Sequence, residues 1–174
     1  MSGPLEAHFL MFARYNRWAN GQLYDAAGRL TESGLREDRG AFFGSVLGAL
    51  NHLVVTDRLW LGRLQGASPR GVRLDEQLYD DLAPLRLARG DLDQRIIDQV
   101  SSYDEDGFAD DLAYETSSGA PQSEPLGQVL AHVFNHQTHH RGQAHDLICQ
   151  IAGNAAAPVL DLLAYQRLAG RGLA

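Results

Sequence analysis

The stretch "HVFNHQTHHRGQAH", residues 132–145, carries five of the chain's seven histidines. Neutral imidazole is the commonest side-chain ligand of divalent metals, so the spacing of these rings decides whether they can share one ion. On a helix, positions four apart lie about 40° from each other on one face, one turn along the axis. His136 and His140 have this spacing and can point at a single ion. Gln143 lies on the same stripe, about 20° to the far side of His136, and His132 lies about 40° to that side, one turn earlier. His139 falls off-centre and His145 on the opposite side of the helix, so both read as solvated. His8 carries no signal.

Two imidazoles rarely hold a metal tightly, and a third donor must come from elsewhere. The segment "GSVLGALNHLVVTDRLWLGRL" embeds His52 in an otherwise apolar helix, with Ala49 and Thr56 a turn away on either side. A buried imidazole without a partner is costly. His52, His136 and His140, three neutral imidazoles from two facing helices, would form a facial set with positions left open for water or substrate. That is the arrangement of a catalytic rather than a closed structural metal site. A metal-bound histidine usually donates its other N–H to a carbonyl or carboxylate, and Asn51, Asp57 and Gln143 are candidates for that duty. His132 is expected to support or pack against the set rather than ligate. A zincin places Glu directly after its first histidine; Gln137 stands there instead, which leaves bound hydroxide as the hydrolytic option. Zn, Ni, Fe and Mn all suit such donors.

Four long segments carry the helical period that would position these groups. The first runs over about 5–30, with Phe9, Phe12, Tyr15, Trp18, Ala19, Leu23, Ala26 and Leu30 recurring at three- and four-residue steps, and "LTESG" stops it. The second spans about 44–65, beginning near Ser45. Pro84 interrupts the third, so its main helix is expected over about 85–102. The fourth should start near Pro125 and reach about 152. Between the last two, "FADDLAYET" suggests a short strand or hairpin. "PVLDLLAYQRLAG" reads as a short terminal helix. The fold expected is therefore all-α: one domain over 1–174, a four-helix bundle with a short additional C-terminal helix and a small hairpin before helix four. Trp18, Trp60, Tyr15 and Phe12 are expected in the core or a pocket wall. Arg141 should make a buried or interhelical ion pair, and Gly142 should mark a close helix–helix approach.

Composition narrows the function. Among 174 residues, 22 are acidic and 15 basic, a net charge of −7 that argues against a nucleic-acid partner. Every basic residue is Arg, which removes lysine Schiff-base chemistry. Cys149, the lone cysteine, excludes an internal disulfide and a thiolate zinc cluster, and reads as a small buried hydrophobe. No run is apolar for the roughly 18 residues a membrane span needs, and the N-terminus is too polar for a signal peptide. A cytoplasmic location is the expectation.

"NHLVVTDRLW" together with "HVFNHQTHHRGQ" resembles the DinB/YfiT-like family of metalloenzymes. "FARYNRWANGQLYDAA" and "DLLAYQR" extend the likeness over essentially the whole chain. The resemblance implies a DinB-like four-helix bundle with a three-histidine divalent-metal site whose ligands match His52, His136 and His140. It also implies a homodimer. Related branches with assigned chemistry are transferases or isomerases that use low-molecular-weight thiols such as bacillithiol or mycothiol. By that likeness the chain is expected to be a metal-dependent thiol S-transferase in stress response or detoxification, its partners a small-molecule electrophile and a bacillithiol-like thiol. A metal-dependent hydrolase and a non-catalytic metal-binding stress protein are the alternatives.

Overall fold

The computed structural model describes residues 3–172. Helix α1 (Pro4–Ala27) opens on a proline, and the Glu105 carboxylate accepts hydrogen bonds from the free backbone N–H groups of Leu5 and Glu6 at 2.9–3.0 Å. It ends at Ala27, short of the expected residue 30. The following "TESGLRE" stretch holds a helix that the periodicity missed, α2 (Glu32–Arg36), capped by the Thr31 hydroxyl. Ser45 caps α3 (Val46–Leu64), close to the expected bounds. Helix α4 spans Leu82–Ser101. It starts three residues earlier than expected because Pro84 sits in its first turn, where a missing N–H breaks no helical hydrogen bond.

A single 3₁₀ turn (Asp106–Ala109) then leads into an antiparallel hairpin of β1 (Asp111–Glu115) and β2 (Pro121–Pro125), with Asp111 opposite Pro125 and Glu115 opposite Pro121. The hairpin was expected, but within "FADDLAYET" only Asp111–Glu115 is strand, Phe108 and Ala109 close the 3₁₀ turn, and the partner strand is "PQSEP". Prolines are tolerated there because a two-stranded hairpin is all edge. Gly119, at φ +88°, supplies the turn. Helix α5 (Leu126–Ala152) follows directly, and the Asp161 side chain caps the short α6 (Leu162–Ala169).

Helices α1 and α3 each pack against both α4 and α5, which closes a four-helix bundle. Leu23, Leu50, Leu53, Leu85, Leu130 and Ile148 form its centre. Truncating any of these to Ala should cost about 2–5 kcal/mol. Helix α3 is the most enclosed element: 15 of its 19 residues are buried, so its polar side chains must find partners inside the protein. Tyr165 anchors α6 against Tyr15 and Trp18, and the Tyr15 hydroxyl donates to the Leu160 carbonyl at 2.6 Å.

A polar cluster crosses the middle of the bundle. Arg89 bridges Asp57 and Asp93 at 2.8 Å each, and the Asn20 amide donates to Asp93 at 2.9 Å. Arg141 is buried as expected, but no ion pair engages it directly: it donates to the amide oxygens of Asn16, Asn20 and Gln137. Two guanidinium groups and two carboxylates leave the cluster formally neutral. Gly142 contradicts its expectation, since it is exposed and a Cβ there would meet nothing within 4 Å. Nothing in the structure explains that glycine.

Candidate metal centre

Because α3 and α5 are neighbours in the bundle, His52 meets the histidine stripe of α5. His52, His136 and His140 each offer a ring nitrogen, and these nitrogens all lie within 4.8 Å of one another, close enough to hold one metal ion. Ring centroids are 4.3 Å apart for His52–His140 and His136–His140, and 5.3 Å for His52–His136. His52 is 3% exposed, whereas His136 and His140 are half-buried, so the set has a closed side and an open side.

Hydrogen bonds fix which nitrogens converge. The His52 Nδ1 lies 2.7 Å from the Leu74 carbonyl oxygen, which can only accept, so Nδ1 carries the proton. The remaining Nε2 then holds a lone pair, is buried, and has no hydrogen-bond partner. An acceptor stranded in this way is the state of a histidine prepared for a cation. His140 is oriented by Gln143, whose Oε1 lies 2.8 Å from Nδ1, and the Gln143 amide in turn donates to His139 Nε2 at 3.3 Å.

All three rings favour the neutral form that a metal requires. Burial is the main cause in each case. It lowers His52 and His140 below the usual imidazole range, and takes His136 down to about 3 with the help of the neighbouring imidazoles. Phe43 stacks on His52 at 3.8 Å between centroids and meets His140 edge-on at 5.5 Å, placing an apolar wall beside the set.

Of the three candidates to orient a ligand histidine, only Gln143 does so. Asn51 instead exchanges hydrogen bonds with the Tyr79 backbone, tying α3 to the loop before α4, and Asp57 pairs with Arg89. The orienting group the sequence reading missed is the Leu74 carbonyl. His132 is exposed, packs edge-on against Trp60 at 5.2 Å and stands 6.0 Å from His136. His139 is exposed as expected. His145 is not simply solvated: its Nε2 donates to the Pro158 carbonyl at 3.0 Å, and Cys149 approaches Nδ1 at 3.7 Å. Cys149 is half-buried rather than buried. Gln137 points away from the trio into the core, fully buried. Among the described residues no carboxylate joins the histidine set.

A family model described as the DinB family matches residues 1–172. The chain is also 26% identical over 148 residues to Protein DinB of Bacillus subtilis (strain 168), an alignment covering 83% of this chain and 86% of that one. The family match spans the bundle, the hairpin and the three histidines alike: the chain belongs to the DinB family.

Proposed function

We propose that His52, His136 and His140 hold one divalent cation, Zn, Ni, Fe or Mn, and that the protein is a metal-dependent transferase acting on a low-molecular-weight, bacillithiol-like thiol. The observation that carries this reading is the stranded Nε2 of His52, aimed into a group of neutral imidazoles with one open side. Such a cation acidifies a thiol that binds it, so that thiolate is available at neutral pH.

The protein's own groups do the rest. Leu74 and Gln143 hold two of the rings in the tautomer that leaves Nε2 unprotonated. Phe43 walls one flank and favours soft, apolar atoms over water. On the open flank the thiol proton leaves to solvent, sulfur forms a bond to the electrophilic carbon of the second substrate, and the leaving group departs with its bonding electrons. That no carboxylate joins the trio among the described residues, together with a buried Gln137, favours this chemistry over hydrolysis, for which a general base is wanted. Detoxification of small electrophiles under stress is the role that follows. No helix among the described residues is long and apolar enough to cross a membrane. A homodimer belongs to the same reading, and sedimentation equilibrium tests it.

The decisive experiment combines elemental analysis with a thiol panel. Wild-type protein should purify with, or take up, one equivalent of metal, and His136→Ala should not. Cobalt-loaded protein should develop a sulfur-to-metal absorption band with bacillithiol or a related thiol, and should couple that thiol to monochlorobimane. Turnover without any thiol would replace this reading with a hydrolase. Metal uptake with neither response would leave a metal-binding stress protein. Equal stoichiometric metal in wild type and His136→Ala would overturn the site itself.

A further inference from the structure

A recess of about 660 Å³ lies between α1 and α6 and takes no residue from α3 or α5, the helices that carry the histidine trio. Leu10, Arg14, Arg17 and Trp18 follow one another at three- and four-residue steps, so one face of α1 forms its floor. Tyr165 and Gln166 of α6 stand across from them. A concavity of this size suits a small organic molecule.

The charged groups of this recess are both cations. No Asp or Glu lines it, in a chain that carries 22 of them. Arg14 and Arg17 are exposed, and among the described residues neither makes an ion pair. Arg17 donates only to the neutral Gln94, at 3.0 Å from its Oε1. Tyr165 is 4% exposed, yet its hydroxyl makes no hydrogen bond among the described residues. Burial raises that hydroxyl above the usual phenol range, and Arg14 and Arg17 oppose the rise, so both guanidinium groups act on it. A hydroxyl without an acceptor and two cations without a counter-ion call for the same partner, an oxyanion. Beside them the Trp18 and Tyr165 rings, 5.5 Å apart, form an apolar wall. A second copy of the chain is a poor occupant, since a twofold contact centred here would set the same arginines against each other.

We infer that the α1–α6 recess is a binding site for a small organic anion, a carboxylate or phosphate ester carried on a flat apolar body. Arg14 and Arg17 hold the oxyanion, the Tyr165 hydroxyl donates to it, and Trp18 covers the body. The site stands apart from the metal centre and does not rest on the transferase reading.

The chain has two tryptophans, and only Trp18 lines this recess, so the indole N–H resonance of Trp60 serves as an internal control. Trp60→Phe assigns the pair. 3-Phenylpropionate, 3-phenylpropanol and 3-phenylpropylamine share a body and differ in charge; phenyl phosphate carries the other oxyanion. Titrated into the protein, 3-phenylpropionate or phenyl phosphate should move the Trp18 resonance and leave that of Trp60 in place. The better of the two should bind about fivefold more tightly than the alcohol, with the amine weakest. Arg14→Gln combined with Arg17→Gln should bring the anion to the level of the alcohol. Tyr165→Phe, which keeps the ring, should weaken the anion and leave the alcohol unchanged. Equal affinity for anion and alcohol, a preference for the amine, or an anion preference that survives the double substitution would overturn the site. Acetate and inorganic phosphate binding as tightly as the aromatic anions would mean an adventitious ion only, and would overturn it too. A double variant that changes mass in sedimentation equilibrium, with no anion bound by the wild type, would make the recess a contact between copies instead. Metal uptake by the double variant should match wild type, so failure here leaves the metal centre untouched.

Discussion

His52 cannot choose its tautomer. A carbonyl oxygen on one side forces the proton onto Nδ1, and burial leaves Nε2 with nothing to accept. That His52, His136 and His140 would come together was legible in the sequence because helical spacing and a lone polar residue in an apolar helix are both properties of residue type. The groups that orient it were only half legible. Gln143 falls on the His136–His140 stripe, so its role follows from spacing; Leu74 acts through its backbone, and no side-chain pattern announces a carbonyl. The orienting bond makes a graded prediction. Gln143→Ala should weaken metal binding by about 10–100-fold, measured by competition with a chromogenic chelator, while His52→Ala should abolish stoichiometric binding. Unchanged affinity in Gln143→Ala would mean that the bond does not position a ligand.

The same trio dictates a pH response in the metal-free protein. Folded His136 takes a proton only near pH 3, whereas an unfolded imidazole takes one near 6.5. Between those values the unfolded chain binds more protons, so the contribution to stability is intact above pH 6.5 and is lost progressively as pH falls toward 3. His52 and His140, also lowered by burial, act in the same direction. The urea midpoint should therefore drop between pH 7 and pH 5, and His136→Ala should flatten that drop. An identical slope in the variant would count against a buried neutral His136.

At the scale of elements, long periodic segments were readable and short ones were not. The four bundle helices follow from apolar stripes repeated over several turns. Helix α2 has five residues, too few for a period to show, and depends on the Thr31 cap and on packing against α3. The α4 boundary moved because Pro84 is harmless in a first turn, a distinction of position that residue identity does not carry. The buried cluster around Arg89 escaped for a related reason: Asp57, Asp93, Asn16 and Asn20 sit on three helices, and only their packing brings them together. Removing one partner of such a pair leaves an uncompensated buried charge. Arg89→Met should lower the unfolding free energy by about 3–5 kcal/mol in urea titrations. Metal binding by the folded fraction should survive, since Arg89 pairs with Asp57 and Asp93 and not with any of the three histidines.

For the whole molecule, the candidate centre matters because its ligands come from different walls of the bundle. His52 belongs to α3 and the other two to α5, so a bound cation links residues more than eighty positions apart, and only in the folded chain. The unfolded chain keeps the His136–His140 pair but not the third donor at the right place, so metal should bind the folded state preferentially. Linkage then fixes the size of the effect: at a free metal concentration a hundredfold above Kd the stabilisation is about 2.7 kcal/mol, and at a thousandfold about 4.1 kcal/mol. For a chain of this size, each kcal/mol raises Tm by roughly 2–4 °C. Titrating Zn or Ni into metal-free protein should thus raise Tm by about 5–15 °C, continuing to climb with the logarithm of metal concentration. His52→Ala should remove nearly all of that rise although both α5 histidines remain, because the link between the two helices is gone. If His52→Ala kept the full rise, the ion would be bound by the α5 stripe alone, and the bundle would have no part in assembling its site.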